Sequence, residues 1–137
     1  MEKIRILYAE GYELVLFTAK RLLEAEGWEV EVCRDGAAAL KKLEGEERFD
    51  LLILDGRLDG SSGVGELIGR ARRRPTPVVL FTAEHANGGA TSREADACLV
   101  KPAGLKDLVP TCRHLLARDA ARQSHEPRAG ESGGAVG

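Results

Sequence analysis

The sequence predicts an α/β fold built as a doubly wound, five-stranded parallel sheet with helices on both faces. Three observations predict it. Short apolar runs alternate along the chain with segments of helical periodicity. Those runs are apolar at consecutive positions, as in LLIL at Leu51–Leu54, which suits strands buried on both faces rather than one. And 137 residues, 43% hydrophobic and 31% charged, suffice for one such core but not for two.

Strands are predicted at Ile4–Ala9, Val30–Cys33, Leu51–Leu54, Val78–Thr82 and Cys98–Val100, each bounded by Gly, Pro or acidic residues. Between the first two, Val15, Ala19, Leu22 and Leu23 share a helical face, and Gly27 is a stop. Asp35 caps a second, short helix carrying Ala37, Leu40 and Leu43 and ending at Gly45. In a third, Val64, Leu67, Ile68 and Ala71 fall at i, i+3, i+4 and i+7, although Gly63, Gly65 and Gly69 each weaken it by about 1 kcal/mol relative to Ala. The segment EHANGGATSREAD after Thr82 has no apolar stripe, so the fourth helix is expected to be short or distorted. The last helix carries Leu105, Leu108, Val109, Cys112, Leu115 and Leu116 on one side; Pro110 is tolerable there if Asp107 is the N-cap. After Arg118, the sequence DAARQSHEPRAGESGGAVG has almost no large apolar residue. The expected division is therefore a domain at 1–118 and a disordered tail at 119–137.

Composition narrows the function. A formal charge of −2 gives no general attraction to nucleic acid or an anionic membrane, and the basic run Arg70–Arg74 reads as cations at a helix C-terminus. Cys33, Cys98 and Cys112 form no CxxC pair, and the histidines do not fall at ligand spacing beside them. No signal peptide and no membrane-length apolar run is present. A cytoplasmic location, with no nucleic acid or membrane partner, is the expectation.

In open parallel sheets the binding crevice lies beyond the carboxyl ends of the strands. Asp55 ends the third predicted strand there. Glu10 follows the first strand, Thr82 ends the fourth and Lys101 follows the fifth, which gathers two carboxylates, a hydroxyl and an ammonium group. A carboxylate can attack a phosphoryl group to give an aspartyl phosphate, and catalysis is then largely positioning and charge neutralisation. Lys101 and Thr82 can bond phosphoryl oxygens, acidic oxygens can hold Mg²⁺, and Gly56 leaves room for the ligand.

These residues carry a resemblance to a known family, the receiver domains of two-component response regulators, over about residues 3–117. The motifs are ILYAEG at the acidic pair, DLLILDGRLDGSSG around the phosphoacceptor, PVVLFTA with the switch hydroxyl, and LVKP with the lysine. The resemblance implies a flavodoxin-like (βα)5 fold and a chain that is not an enzyme. It also implies phosphorylation of Asp55 by a histidine kinase or phosphotransfer protein, with the signal passed to a further protein target. Glu10, Asp55 and the backbone carbonyl of Arg57 would hold Mg²⁺, Thr82 and Lys101 would bind the phosphoryl group, and the Lys101–Pro102 bond would be cis. Three departures are visible. Gly11 stands at the second acidic position, which implies weak Mg²⁺ binding; Glu13 or Asp59 could lend charge. Asp59 replaces the usual proline of the loop after the phosphoacceptor. Cys98 stands where the family carries its aromatic switch residue.

The reading is a single-domain receiver acting by conformational shift or phosphorelay. One alternative is a pseudo-receiver, a docking module with a decayed metal site. A remoter one is an aspartate-dependent phosphohydrolase, against which Arg57 occupies the place of the second aspartate such enzymes use.

Overall fold

The computed structural model describes residues 3–11, 13–56, 63–83 and 94–125. Five strands, β1 (Arg5–Ala9), β2 (Glu29–Cys33), β3 (Leu51–Leu54), β4 (Val78–Thr82) and β5 (Ala97–Val100), form one sheet. Their order is β2-β1-β3-β4-β5, and every pairing is parallel. Four helices are found among the described residues: α1 (Glu13–Glu24), α2 (Gly36–Glu44), α3 (Val64–Arg72) and α4 (Leu105–His125). The helix expected between β4 and β5 falls on 84–93, outside the described residues, as does 126–137 of the expected tail.

The strand period of two divides the core into two layers. Ile6, Tyr8, Leu51, Ile53, Val79 and Phe81 face α1 and α4, where they meet Leu16, Ala19, Leu23, Leu108, Cys112 and Leu115. Leu7, Ala9, Leu52, Leu54, Val78 and Leu80 face α2 and α3, where they meet Ala39, Leu67, Ile68 and Ala71. Consecutive apolar residues in β3 are thus required, because both of its faces are covered. Trp28 packs half-buried against the first cluster just before β2. Asp35 caps α2, accepting from the Ala38 N–H at 2.8 Å, and Gly27 turns the chain after α1 with φ +90°.

Three expectations need correction. On α1 the buried stripe is Leu16, Ala19 and Leu23, while Leu22 stays 39% exposed; the position of α4 beside α1 rotates the buried face toward Leu16. α4 begins at Leu105, so Asp107 lies inside its first turn and Pro110 inside the helix. The start is made by backbone turn bonds, Leu105 N–H to the Pro102 carbonyl and Asp107 N–H to the Gly104 carbonyl, each 2.9 Å, rather than by an aspartate cap. Finally, α4 runs past Arg118 to His125. Ala120, Ala121 and Arg122 are strong helix formers, so a helix already anchored by packing extends through them.

The amino edge of the sheet is bound by charge. Asp96, just before β5, accepts from the Val78 N–H at 2.8 Å and pairs with Arg72 of α3 at 3.0 Å and Arg118 of α4 at 3.1 Å. Much of the basic run is engaged the same way: Arg70 pairs with Glu44 at 3.1 Å, and Arg74 donates to the carbonyls of Glu47 and Gly45. Arg5 lies among Glu29, Glu31 and Glu47 and over the Phe49 ring. No helix among the described residues is long and apolar enough to cross a membrane.

Burial pushes the Asp96 carboxyl up, but the Val78 N–H and the two guanidinium groups outweigh it and hold it below its ordinary value. A group whose folded pKa is depressed stabilises fully above its unfolded value of about 3.9, and that contribution is lost as pH falls through the folded value. Asp96→Asn is therefore expected to lower stability at neutral pH and to flatten the acid limb below about pH 4, read by denaturation at several pH values. Gly104 supplies a second test. A Cβ there would lie 2.8 Å from the Val100 carbonyl oxygen and 2.9 Å from the Leu99 Cβ. Gly104→Ala should cost about 1–3 kcal/mol in chemical denaturation, the usual penalty for forcing an atom into a packed site.

Candidate functional site

Each site residue is held by the backbone ladder at the end of a strand. Glu10 follows β1, and its N–H donates to the Cys33 carbonyl at 2.9 Å. Asp55 follows β3, with its N–H on the Ala9 carbonyl at 3.0 Å; Lys101 follows β5, with its N–H on the Thr82 carbonyl at 2.7 Å. Because β1 is followed by β2 on one side and β3 on the other, the crevice opens between the carboxyl ends of β1 and β3. Glu10 and Asp55 flank it.

The four residues from separate strands are brought together, and all are buried: Glu10 is 0% exposed, Thr82 2%, Asp55 8% and Lys101 9%. The Lys101 ammonium donates to Glu10 Oε2 at 2.8 Å and lies 3.5 Å from Asp55 Oδ2. One cation thus bridges two carboxylates, which could not otherwise sit together out of water. The ammonium also sits 5.6 Å from the centre of the Phe81 ring. The Lys101–Pro102 peptide bond is cis.

Thr82 brings a different feature. Its hydroxyl oxygen is buried and meets no hydrogen-bond partner among the described residues. It lies against the backbone of Gly56, where a Cβ would come within 3.0 Å of Oγ1 and 3.2 Å of the Thr82 Cβ. A buried polar group of this kind suits a site that receives an oxygen-bearing ligand. Glycine after Asp55 is what permits the approach.

Sequence reasoning missed Tyr8. It is fully buried in β1, and its hydroxyl donates to Glu10 Oε1 at 3.2 Å. Burial, then the charge of Glu10, push its pKa far up, so the phenol keeps its proton as a donor. The signal was present in the strand period: positions 8 and 10 fall on one face, and Tyr8 is the polar-tipped residue in the apolar run ILYA.

For a divalent cation, the donor chemistry present is the carboxylate oxygens of Glu10 and Asp55, the ligand type Mg²⁺ takes. Gly11 brings no side-chain oxygen, and a Cβ there would touch only the Arg34 carbonyl oxygen at 3.5 Å. Arg57, Asp59 and the Glu13 side chain lie outside the described residues. The buried thiols are poorly disposed to ionise: burial raises Cys33 and pushes Cys112 up to about 12. A cavity of about 470 Å³ lined by Arg5, Trp28, Glu29 and Phe49 opens at the starting ends of the strands, away from this chemistry.

Comparison with known proteins agrees with this fold. Residues 6–113 match the family described as response regulator receiver domain. The transcriptional regulatory protein TrcR of Mycobacterium tuberculosis is 34% identical over 123 residues, covering 85% of this chain and 47% of that protein. The transcriptional regulatory protein CpxR of Escherichia coli is 35% identical over 120 residues, covering 83% and 50%. The chain thus spans about half the length of these curated relatives. Among solved structures, a CheY-like receiver domain protein from Methanospirillum hungatei superposes with TM-score 0.78 at 27% identity, covering 88% of this chain and 99% of that one. Response regulator TrrA from Thermotoga maritima, solved in complex with Mg²⁺ and BeF, superposes with TM-score 0.71 at 30% identity, covering 82% and 98%. With the fold, the lysine-bridged carboxylates and the family match in agreement, the chain belongs to the response regulator receiver domains.

Proposed function

We propose that Asp55 accepts a phosphoryl group from a histidine kinase or phosphotransfer protein and that the modified domain signals to a further protein by conformational shift or phosphorelay. The observation that carries this reading is the meeting of the Asp55 carboxylate, the Lys101 ammonium 3.5 Å away, and a buried Thr82 hydroxyl that meets no partner among the described residues. An Asp55 carboxylate oxygen attacks phosphorus, and the bond from phosphorus to the donor's leaving nitrogen or oxygen breaks. Lys101 then neutralises charge on one phosphoryl oxygen and Thr82 bonds another. We assign Glu10, Asp55 and the backbone carbonyl of Arg57 as the ligands of Mg²⁺, which when bound supplies further neutralisation of phosphoryl charge.

Phosphorylation adds about two negative charges at this edge. It draws Lys101 and Thr82 toward Asp55 in one conformation more than in the other, which is the differential contact a switch requires. A bias of about 1–3 kcal/mol changes partner affinity by 5- to 150-fold. A second reading, the unphosphorylated pseudo-receiver, is favoured by one observation. Lys101 hydrogen-bonds Glu10 at 2.8 Å rather than Asp55, beside a glycine at position 11, so on this reading the carboxylate that would hold Mg²⁺ is already engaged by the ammonium.

The test is incubation with Mg²⁺ and a small phosphodonor, or with beryllofluoride, read by mass or by ¹⁹F NMR. Trp28 is a poor reporter, since it packs at the opposite edge of the sheet from Asp55. The phosphoacceptor reading expects an adduct that Asp55→Ala abolishes, and an adduct formed at lower Mg²⁺ concentration in Gly11→Asp. No adduct at millimolar Mg²⁺ would favour the pseudo-receiver. Gly56→Ala and Thr82→Val should each weaken beryllofluoride binding roughly 10- to 100-fold, the range for a lost hydrogen bond to a charged group. The first acts by pushing the hydroxyl aside and the second by removing it. Retention of wild-type affinity in both would remove Thr82 from the site.

A further inference from the structure

We infer that Tyr8 is a positioning residue for phosphoryl acceptance: its hydroxyl holds the Glu10 carboxylate against Lys101, so that the ammonium can leave for a group on Asp55 while Glu10 keeps a fixed donor. This role rests on the phosphoacceptor reading of Asp55.

Four facts lead to it. Glu10 is 0% exposed, and a carboxylate out of water is costly unless hydrogen-bonded. Among the described residues, its Oε2 accepts from Lys101 at 2.8 Å and its Oε1 from Tyr8 at 3.2 Å. Those donors differ in how they are anchored. Tyr8 is in the middle of β1, in register with Val32 of β2 and Ile53 of β3, and its ring is packed in the core cluster with Cys112 and Leu108. Lys101 lies in the turn after an edge strand, at the end of a flexible four-carbon stem. Lastly, the ammonium hydrogen-bonds Glu10 but stands 3.5 Å from Asp55, so pairing with a phosphoryl group on Asp55 means weakening its hold on Glu10. The Tyr8 hydroxyl does not take part in that exchange and remains on Glu10 throughout.

Tyr8→Phe removes one oxygen and no packing. It should make the transfer of Lys101 costlier while leaving the resting fold intact, which a purely structural tyrosine would not do. Four forms of the full chain decide the matter: wild type, Tyr8→Phe, Glu10→Ala and the double variant. Each is read without ligand through the Lys101 Cε and Nζ NMR resonances, and with Mg²⁺ and beryllofluoride through ¹⁹F NMR affinity. The expected result is that Tyr8→Phe moves the ligand-free Lys101 resonances and lowers beryllofluoride affinity about tenfold, and that it no longer moves those resonances once Glu10 is alanine. Glu10→Gln, with Tyr8 intact, should move the same Lys101 resonances, which guards against an unstable Tyr8→Phe. Unmoved resonances in Tyr8→Phe and Glu10→Gln, or Lys101 resonances that Tyr8→Phe moves equally with and without Glu10, would overturn the role. Wild-type binding with unchanged Tyr8→Phe affinity overturns the role alone. Absence of wild-type binding overturns the phosphoacceptor reading and this role with it.

Discussion

One buried ammonium group holds the carboxyl edge of this sheet together. Glu10 and Asp55 follow adjacent strands, so the sheet places two carboxylates side by side with almost no exposure to water. Uncompensated, that arrangement would be among the most costly in the molecule. Lys101 resolves it by lying within ion-pair distance of both. Its own position depends on the β4–β5 pairing, on the N–H bond to the Thr82 carbonyl, and on the tight turn at Gly104 that sends the chain straight into α4.

The same arrangement shares the ammonium unequally between the two acids. A cation shared between two acids can shift its weight from one to the other with little rearrangement of the backbone. In the resting geometry the weight is on Glu10, supported from the core side by Tyr8 and from below by the Phe81 ring. The Thr82 hydroxyl, pressed against Gly56, is held where burial gives it no compensating bond among the described residues. Such features cost stability, and proteins keep them where a ligand later completes the bonds.

Elsewhere the molecule is conventional in its forces. Two apolar layers cover the sheet, and the amino edge is bound by Asp96 with its two arginines and a strand N–H. The opposite ends of the strands thus differ in chemistry: fixed cross-links at one edge, a shared cation at the other.

The amino-acid sequence by itself determined the strands, the parallel sheet and the candidate residues Glu10, Asp55, Thr82 and Lys101, because each depends on local pattern: consecutive apolar residues in a doubly covered strand, and polar residues at strand ends. Helix faces and boundaries were less legible. Leu22 against Leu16, the start of α4 at Leu105 and its continuation to His125 were decided by neighbouring elements and turn bonds, which periodicity does not contain. Only the tertiary structure decided how the site is bonded. That Lys101 hydrogen-bonds Glu10 rather than Asp55, and that Thr82 meets Gly56, are differences of an ångström or less between groups far apart in the chain. Distances of that size are set by packing, not by sequence order.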